Sequence, residues 1–166
     1  MTMPHIRTVA LLSALAAGAA LGIALASERW GGLVPCALCL WERWPYRVAI
    51  VLALVTLVAQ HRFIRPLLLL LLLALLADVA LAVVHVGVEL HYWPSPLPEC
   101  AAPRLSGDSI VARLTQMPMR PAKPCDEPTF LIPGLPLSMA AMNLLYALVF
   151  AGLLAIALWR GRSSAP

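Results

Sequence analysis

Charged residues are scarce in this chain. Asp, Glu, Lys and Arg make up 12% of its 166 residues, whereas hydrophobic residues make up 61%. A soluble domain has roughly 25% charged and 45–50% apolar residues, so this composition excludes an ordinary water-soluble fold. The sequence also lacks a repeat of solenoid period, a phosphate-binding glycine loop and coiled-coil heptads. These absences leave a small membrane protein as the class that fits.

The net charge of +4 arises from basic residues that flank apolar runs. In a soluble protein such a charge would suggest nucleic-acid binding, but next to apolar runs it is typical of orientation in a membrane. We therefore expect a lipid bilayer, and no nucleic acid, as a partner.

Four apolar stretches predict membrane-spanning helices at about residues 9–26, 40–60, 66–89 and 138–159. A span needs about 20 apolar residues, and its backbone amides must be satisfied within the helix. The second stretch is the weakest of the four predictions, because only its part Val48–Ala59 is an uninterrupted apolar run. Arg43 and Arg47 are expected near its interfacial end, where long basic side chains reach water. The predicted fold is an all-α four-helix membrane bundle that forms a single domain over residues 1–166.

The first stretch is similar to a signal peptide. A short basic start precedes the apolar residues, and Ala24-Leu25-Ala26 precedes Ser27 like a small-residue cleavage site. The apolar stretch is longer than the usual length of about 7–15 residues, so we expect a helix that is retained. Cleavage would leave the later loops unchanged.

Three short segments contain arginine and no acidic residue; they lie before the first span, between the second and third, and after the fourth. Their basic residues are Arg7, Arg62, Arg65, Arg160 and Arg162. The positive-inside rule places both termini in the cytoplasm and the loops at about 27–39 and 90–137 outside. In a bacterium the protein would lie in the inner membrane with these loops in the periplasm, where disulfides persist.

All four cysteines lie in the two outward loops, at positions 36, 39, 100 and 125. Cys36 and Cys39 form a Cys-x-x-Cys motif at the start of the second predicted helix, where the helix dipole favours a thiolate. Four thiols that face one compartment at the mouth of a membrane helix indicate an electron path. Its ends would be a soluble thiol partner and a lipid-soluble acceptor.

Arg43 follows Cys39 by four residues, so the two side chains share a helix face. A guanidinium there would stabilise a thiolate and could donate hydrogen bonds to a ring oxygen. The alternative is an interfacial anchor for the second span. Trp41, Trp44 and Tyr46 are typical of an aromatic belt, although they could also line a pocket for a planar ring.

The second outward loop contains ten of the fifteen prolines. The residues before Cys100 predict an extended, solvent-facing approach that a groove on a partner protein could bind. Further along, apolar residues recur at helical spacing, with Asp108 or Ser109 as a cap; they are Ile110, Val111, Leu114 and Met117. This turn is expected either to lie on the membrane surface or to pack on the bundle.

Four cysteines allow three pairings, and the sequence does not choose among them. We expect no metal, because zinc sites prefer short spacing in both ligand pairs, and Cys100 and Cys125 are far apart. A pair of purely structural disulfides is the other alternative.

Four motifs extend over the chain from the first span through the fourth. They are Pro35-Cys36-Ala37-Leu38-Cys39-Leu40-Trp41-Glu42-Arg43, the Pro94-Ser95-Pro96 before Cys100, Cys125-Asp126, and Leu137-Ser138-Met139-Ala140 followed by Asn143. Together they resemble the DsbB family of bacterial quinone-dependent disulfide oxidases. The sequence departs from this family at Phe130, where many members have tryptophan, and at the end of the third span, which aligns only loosely.

The resemblance implies a four-helix bundle with both redox loops in the periplasm, and catalytic roles for the four cysteines. Cys100 and Cys125 would begin as a disulfide, and a DsbA-like thioredoxin-fold protein would attack Cys100. Cys125 would then engage Cys36, and Cys39 would pass electrons to a quinone of the membrane pool, either ubiquinone or menaquinone. Arg43 would hold this quinone.

Polar residues in the third span are the remaining candidates. His85 and Glu89 lie near its outer end, where His85 could assist quinol protonation or simply pack at the interface. Asp78 lies near mid-span, where we expect it to stay protonated or to pair with a polar group such as Asn143. The other function classes are a vitamin K epoxide reductase-like protein and a membrane protein with structural disulfides.

Overall fold

A computed structural model describes residues 3–100, 109–111, 123–132 and 134–163. These residues form four long helices and one short 3-10 helix. The long helices are α1 (Met3–Arg29), α2 (Ala37–Val58), α3 (His61–Glu89) and α4 (Met139–Ser163), and the 3-10 helix spans Pro98–Cys100. Within the described ranges there is no strand beyond two isolated bridges. The architecture is that of a helical membrane protein.

Three of the helices are long and apolar enough to cross a membrane, over Ile6–Arg29, His61–Glu89 and Met139–Arg160. Helix α2 is not among these three helices, because the charged residues Glu42, Arg43 and Arg47 lie in its first turns. Glu42 and Arg43 are each only 7% exposed, so other protein groups surround these two charges. That α2 is a fourth span remains a prediction.

The helix ends follow from local hydrogen bonding. Cys36 caps α2, because its Sγ accepts a bond from the backbone N–H of Cys39 at 3.2 Å. Ser138 caps α4 in the same way, through a bond from the Ala141 N–H at 3.1 Å. Helix α3 begins at His61, before the apolar run that starts at Pro66, because flanking polar residues can continue a helix beyond the hydrocarbon.

Helix α2 packs between α1 and α3, whereas α4 packs mainly against α3 and only lightly against α1. Small residues bring the backbones close, and leucines of α3 fill the remaining space. The core residues with at most 1% exposure include Ala17, Ala49, Ala53, Leu68, Leu71 and Leu75. The lighter packing of α4 against α1 leaves room between α1, α2 and α4.

The two cysteine-bearing loops meet at one end of the bundle. Cys36 forms a parallel bridge with Lys123, and the backbone N–H of Cys125 donates to the Cys100 carbonyl at 3.4 Å. At the same end, the Ser138 hydroxyl donates to the Glu89 carboxylate. The loops therefore lie together at the end of the bundle where α2 and α4 begin and α3 ends.

The predicted amphipathic turn is described only in part. Ile110 and Val111 have helical backbone and are 78% and 70% exposed, so they do not pack on the bundle. Asp108, Leu114 and Met117 lie outside the described residues.

Candidate redox site

The Cys-x-x-Cys pair consists of two free thiols in contact. The Sγ atoms of Cys36 and Cys39 lie 2.9 Å apart and share a hydrogen bond. This bond from the Cys39 side chain lowers the pKa of Cys36, although burial of the sulfur acts in the opposite direction. The pKa of Cys36 is therefore lower than that of an ordinary thiol even though the residue is 4% exposed.

The second pair, Cys100 and Cys125, forms a disulfide with a Cα–Cα distance of 5.0 Å. Its half-cystines are buried, with exposures of 4% and 1%. The residues before Cys100 were predicted to form an extended, solvent-facing approach, and Pro94, Pro96 and Pro98 are exposed; Cys100 itself is buried and ends the 3-10 helix Pro98–Cys100. The physical reason is the apolar contact that Leu97 makes beside the disulfide, which draws this turn onto the bundle.

All four cysteines gather in one apolar cluster at the end of the bundle where α2 begins and α3 ends. Cys36, Cys100 and Cys125 are buried in it together with Leu38 and Val88, and Cys39 packs at its edge. Thiol–disulfide exchange requires a thiolate to approach a disulfide sulfur directly. The cluster places the thiol pair and the disulfide in one group of packed residues.

His85 of α3 lies against the Cys-x-x-Cys pair and is 1% exposed. Its Nε2 lies 3.4 Å from Cys36 Sγ, and its Nδ1 lies 2.8 Å from Glu42 Oε1. A carboxylate only accepts hydrogen bonds, so Nδ1 carries the hydrogen and Nε2 is directed at the sulfur. The structure thus places His85 beside Cys36.

A cavity of about 270 Å³ lies between α1, α2 and α4. One wall consists of Cys39, Glu42 and Arg43, and the Tyr46 and Asn143 side chains lie deeper. The remaining wall is mostly apolar and includes Ala20, Leu21, Ala24, Leu131, Met139 and Met142. An apolar cavity with a few convergent polar groups is typical of a site for a small ring-shaped ligand.

Arg43 is fixed in this wall by an ion pair. Its guanidinium donates to the carboxylate of Glu28, at the end of α1. Its Nε is buried and has no hydrogen-bond partner among the described residues. Sequence reasoning missed Glu28, although it is the one acidic residue in the first outward loop, and gave Glu42 no role.

Asp78 is buried close to the Tyr46 hydroxyl and the Asn143 amide. Tyr46 donates to Asn143 Oδ1 at 2.7 Å, but neither Asp78 oxygen has a hydrogen-bond partner in the described part of the chain. The expected proximity to Asn143 is observed, without a hydrogen bond between them.

Comparisons with known proteins give one match. The family model for DsbB, described as "Disulfide bond formation protein DsbB", matches residues 6–158. No curated protein and no solved structure matches the chain.

Proposed function

Because this chain belongs to the DsbB family of disulfide bond formation proteins, we propose that it oxidises a soluble dithiol protein and reduces a membrane quinone. The cluster of four cysteines beside an apolar cavity supports this proposal most directly. The partner would be a DsbA-like thioredoxin-fold protein of the periplasm. The protein would span the bacterial inner membrane four times, with α2 as the additional span and both termini in the cytoplasm.

The reaction begins at the second loop, with both cysteine pairs oxidised. A thiolate of the reduced partner attacks Cys100, a mixed disulfide forms, and Cys125 is released as a thiolate. Because Cys100 is 4% exposed, the turn Pro98–Cys100 has to move off the bundle before this attack. The partner's second thiol then displaces Cys100, and the partner leaves oxidised.

The electrons next move to the Cys-x-x-Cys pair. Cys125 attacks Cys36, which shares its apolar cluster, and Cys39 leaves as a thiolate. Cys100 then attacks Cys125 and restores the Cys100–Cys125 disulfide, while Cys36 leaves as a thiolate. The arrangement observed here, one disulfide and two adjacent thiols, corresponds to the stage just before quinone reduction.

The cavity fits a quinone ring. Cys39 lines it and Cys36 does not, so Cys39 is the sulfur that faces the acceptor. Arg43 lines the cavity and donates a hydrogen bond from its guanidinium to a ring oxygen, while Glu28 holds the guanidinium in place. A quinone supplies a two-electron, two-proton acceptor at this position. His85 contacts Cys36 and pairs with Glu42, which lines the cavity, so it is placed to move a proton away from the sulfur.

The energetics favour a strong acceptor. A DsbA-type partner has a reduction potential of about −120 mV, and about 30 mV corresponds to a tenfold change in the equilibrium of a two-electron couple. Glutathione pools are more reducing, at about −180 to −260 mV in the compartments that they buffer, so they would drive the reaction backwards, whereas a quinone can accept these electrons.

The test is quinone reduction by the purified protein in detergent, followed by absorbance, with a reduced DsbA-like protein as the electron donor. Wild-type protein is compared with Cys36→Ser and Cys39→Ser. We expect turnover in the wild type only. A folded wild-type protein that reduces neither ubiquinone nor menaquinone analogues would instead favour structural disulfides.

The order of events at the second loop has its own test. A Cys100→Ala variant should no longer form mixed disulfides with the partner, yet it should retain its quinone site. A partner variant that lacks its second thiol should accumulate the mixed disulfide at Cys100 of the wild-type chain, because nothing then displaces Cys100. Undiminished complexes with Cys100→Ala would contradict attack at Cys100.

A further inference from the structure

Three metal-ligating side chains converge at the Cys-x-x-Cys pair. The Sγ atoms of Cys36 and Cys39 and a ring nitrogen of His85 all lie within 4.8 Å of one another. The sequence offered no such set, because His85 is far from both cysteines along the chain. We propose that the reduced Cys36–Cys39 pair and His85 form an inhibitory binding site for zinc or another thiophilic divalent ion.

The geometry suits a tetrahedral ion. Zinc binds sulfur at about 2.3 Å and nitrogen at about 2.0–2.1 Å, so a tetrahedral site needs an S–N distance of about 3.6 Å and an S–S distance of about 3.8 Å. The observed distance from Cys36 Sγ to His85 Nε2 is 3.4 Å. The two sulfurs, now 2.9 Å apart, must separate by roughly 0.9 Å. Cys39 has room for this, because it is partly exposed and lines the cavity.

Glu42 completes the arrangement. Its carboxylate holds the Nδ1–H of His85 at 2.8 Å, which leaves Nε2 free to bind an ion. A carboxylate–histidine pair of this kind orients metal-binding histidines in zinc proteins and makes them more basic. Glu42 therefore serves as a positioning residue, whereas Cys36, Cys39 and His85 are the ligands.

The fourth position is open toward the cavity. With three protein ligands, the ion would take its remaining ligand from the space that Cys39 and Glu42 border. Two thiolates balance the charge of a divalent ion, and Glu28 compensates the positive charge of the nearby Arg43.

Binding replaces the thiol protons, which pass to solvent, and involves no change in oxidation state. The site exists only when Cys36 and Cys39 are reduced, so oxidation of the pair expels the ion. The inhibitory effect, a block of the path to the quinone, rests on the proposed function.

The test uses full-length protein in detergent that carries Cys100→Ser and Cys125→Ser, so that Cys36 and Cys39 are the only thiols. The pair is reduced with a phosphine, which is then removed under anaerobic conditions. Zn²⁺ affinity is measured by competition with a coloured chelator, and Co²⁺ reports the ligands through its thiolate charge-transfer bands. Neither measurement needs a quinone or a partner protein, so the outcome is independent of the proposed function.

We expect one ion per chain. Loss of a ligand in His85→Ala should weaken Zn²⁺ binding by more than tenfold and change the Co²⁺ spectrum, whereas His85→Cys, which restores a third ligand, should recover binding. Glu42→Gln should weaken binding by about 10–100-fold and keep the Co²⁺ spectrum. The matched control is His61→Ala, at the exposed opposite end of α3, which should bind like the parent.

Two results would overturn the proposal. One is equal affinity and an identical Co²⁺ spectrum for the parent and His85→Ala, since the thiols alone would then hold the ion. The other is a parent protein that binds no stoichiometric Zn²⁺. Because His85 is buried, helical content of each variant is checked by circular dichroism. If His85→Ala fails to fold, Glu42→Gln and His85→Cys decide the question.

Discussion

Glu42 of α2 and His85 of α3 form a buried hydrogen-bonded pair directly behind the Cys-x-x-Cys motif. The Nδ1 of His85 lies 2.8 Å from Glu42 Oε1, and the Nε2 on the opposite side of the ring lies 3.4 Å from Cys36 Sγ. The two side chains are 7% and 1% exposed, so water does not compete for these contacts. The pair thereby connects the cavity wall with the apolar cluster that holds the four cysteines.

Removal of the Glu42 carboxylate should destabilise the bundle. In Glu42→Ala the Nδ1–H of His85 loses its acceptor in a buried position, which costs about 1–3 kcal/mol in the free energy of unfolding. Glu42→Gln retains an acceptor oxygen and should cost less. The measurement is thermal unfolding in detergent, with Glu127→Ala, an exposed carboxylate, as the control. Equal midpoints for Glu42→Ala and wild type would show that the pair contributes no stability.

Substitution of Arg43 should weaken quinone binding. A hydrogen bond to a charged group contributes about 1.5–3 kcal/mol, so Arg43→Met should raise the KM for quinone by roughly tenfold or more. Glu28→Gln should have a smaller effect in the same direction, because it frees the guanidinium without removing it. The matched control is Arg47→Met, since Arg47 is exposed on the same helix. An equal rise in KM for both arginine variants would indicate a general effect of charge at the interface.

The reactivity of Cys36 should persist at a lower pH than that of an ordinary thiol. Its pKa is lowered mainly by the hydrogen bond from the Cys39 side chain, so the thiolate is lost only when the pH falls through this lowered value. Cys39→Ala removes the donor and should raise the pKa of Cys36, whereas Cys39→Ser replaces it with a hydroxyl. Thiolate absorbance against pH, in protein that lacks Cys100 and Cys125 thiols, measures the difference. An unchanged pKa of Cys36 in Cys39→Ala would show that the hydrogen bond from Cys39 does not lower it.

Gly87 allows the second loop to leave α3 beside the apolar cluster that holds the four cysteines. A Cβ at this position would lie 1.9 Å from the Trp93 ring, whose Nε1–H donates to the Val84 carbonyl at 3.0 Å. Gly87→Ala should therefore displace Trp93 and cost about 0.5–1.5 kcal/mol for the lost hydrogen bond. The shift is measured as a change in tryptophan emission that is absent in Trp93→Phe. Gly22→Ala, where no atom lies within 4 Å, should leave the midpoint of unfolding unchanged or raised.

Helix positions could largely be predicted from the sequence, because apolar runs of sufficient length must form helices in lipid. The ends were less predictable: α3 begins at His61 rather than at the apolar residue Pro66. Helix α2 was the weakest prediction for a specific reason. Its length depends on charged residues that are tolerated only because neighbouring helices bury them, as with Glu42 and Arg43.

The candidate site was predictable only where its chemistry is local. The Cys36–Cys39 spacing and the position of Arg43 one turn later are properties of a single helix, and they identify a redox motif without any tertiary information. The environment of Cys100 was not predictable in this way. Exposed prolines indicated a solvent-facing approach, whereas the burial of Cys100 depends on contacts with the distant Leu38 and Val88.

By itself, the sequence determined the helical membrane class, the placement of the cysteines outside the apolar runs and the family resemblance, because hydrophobicity, helix length and short motifs are encoded locally. Only the tertiary structure decided the pairs Arg43–Glu28 and Glu42–His85, the contact of His85 with Cys36 and the cavity beside Cys39. These relationships depend on the rotation and packing of separate helices, which no local pattern specifies. Small residues such as Ala17, Ala49 and Ala53, which bring the backbones together, set this packing.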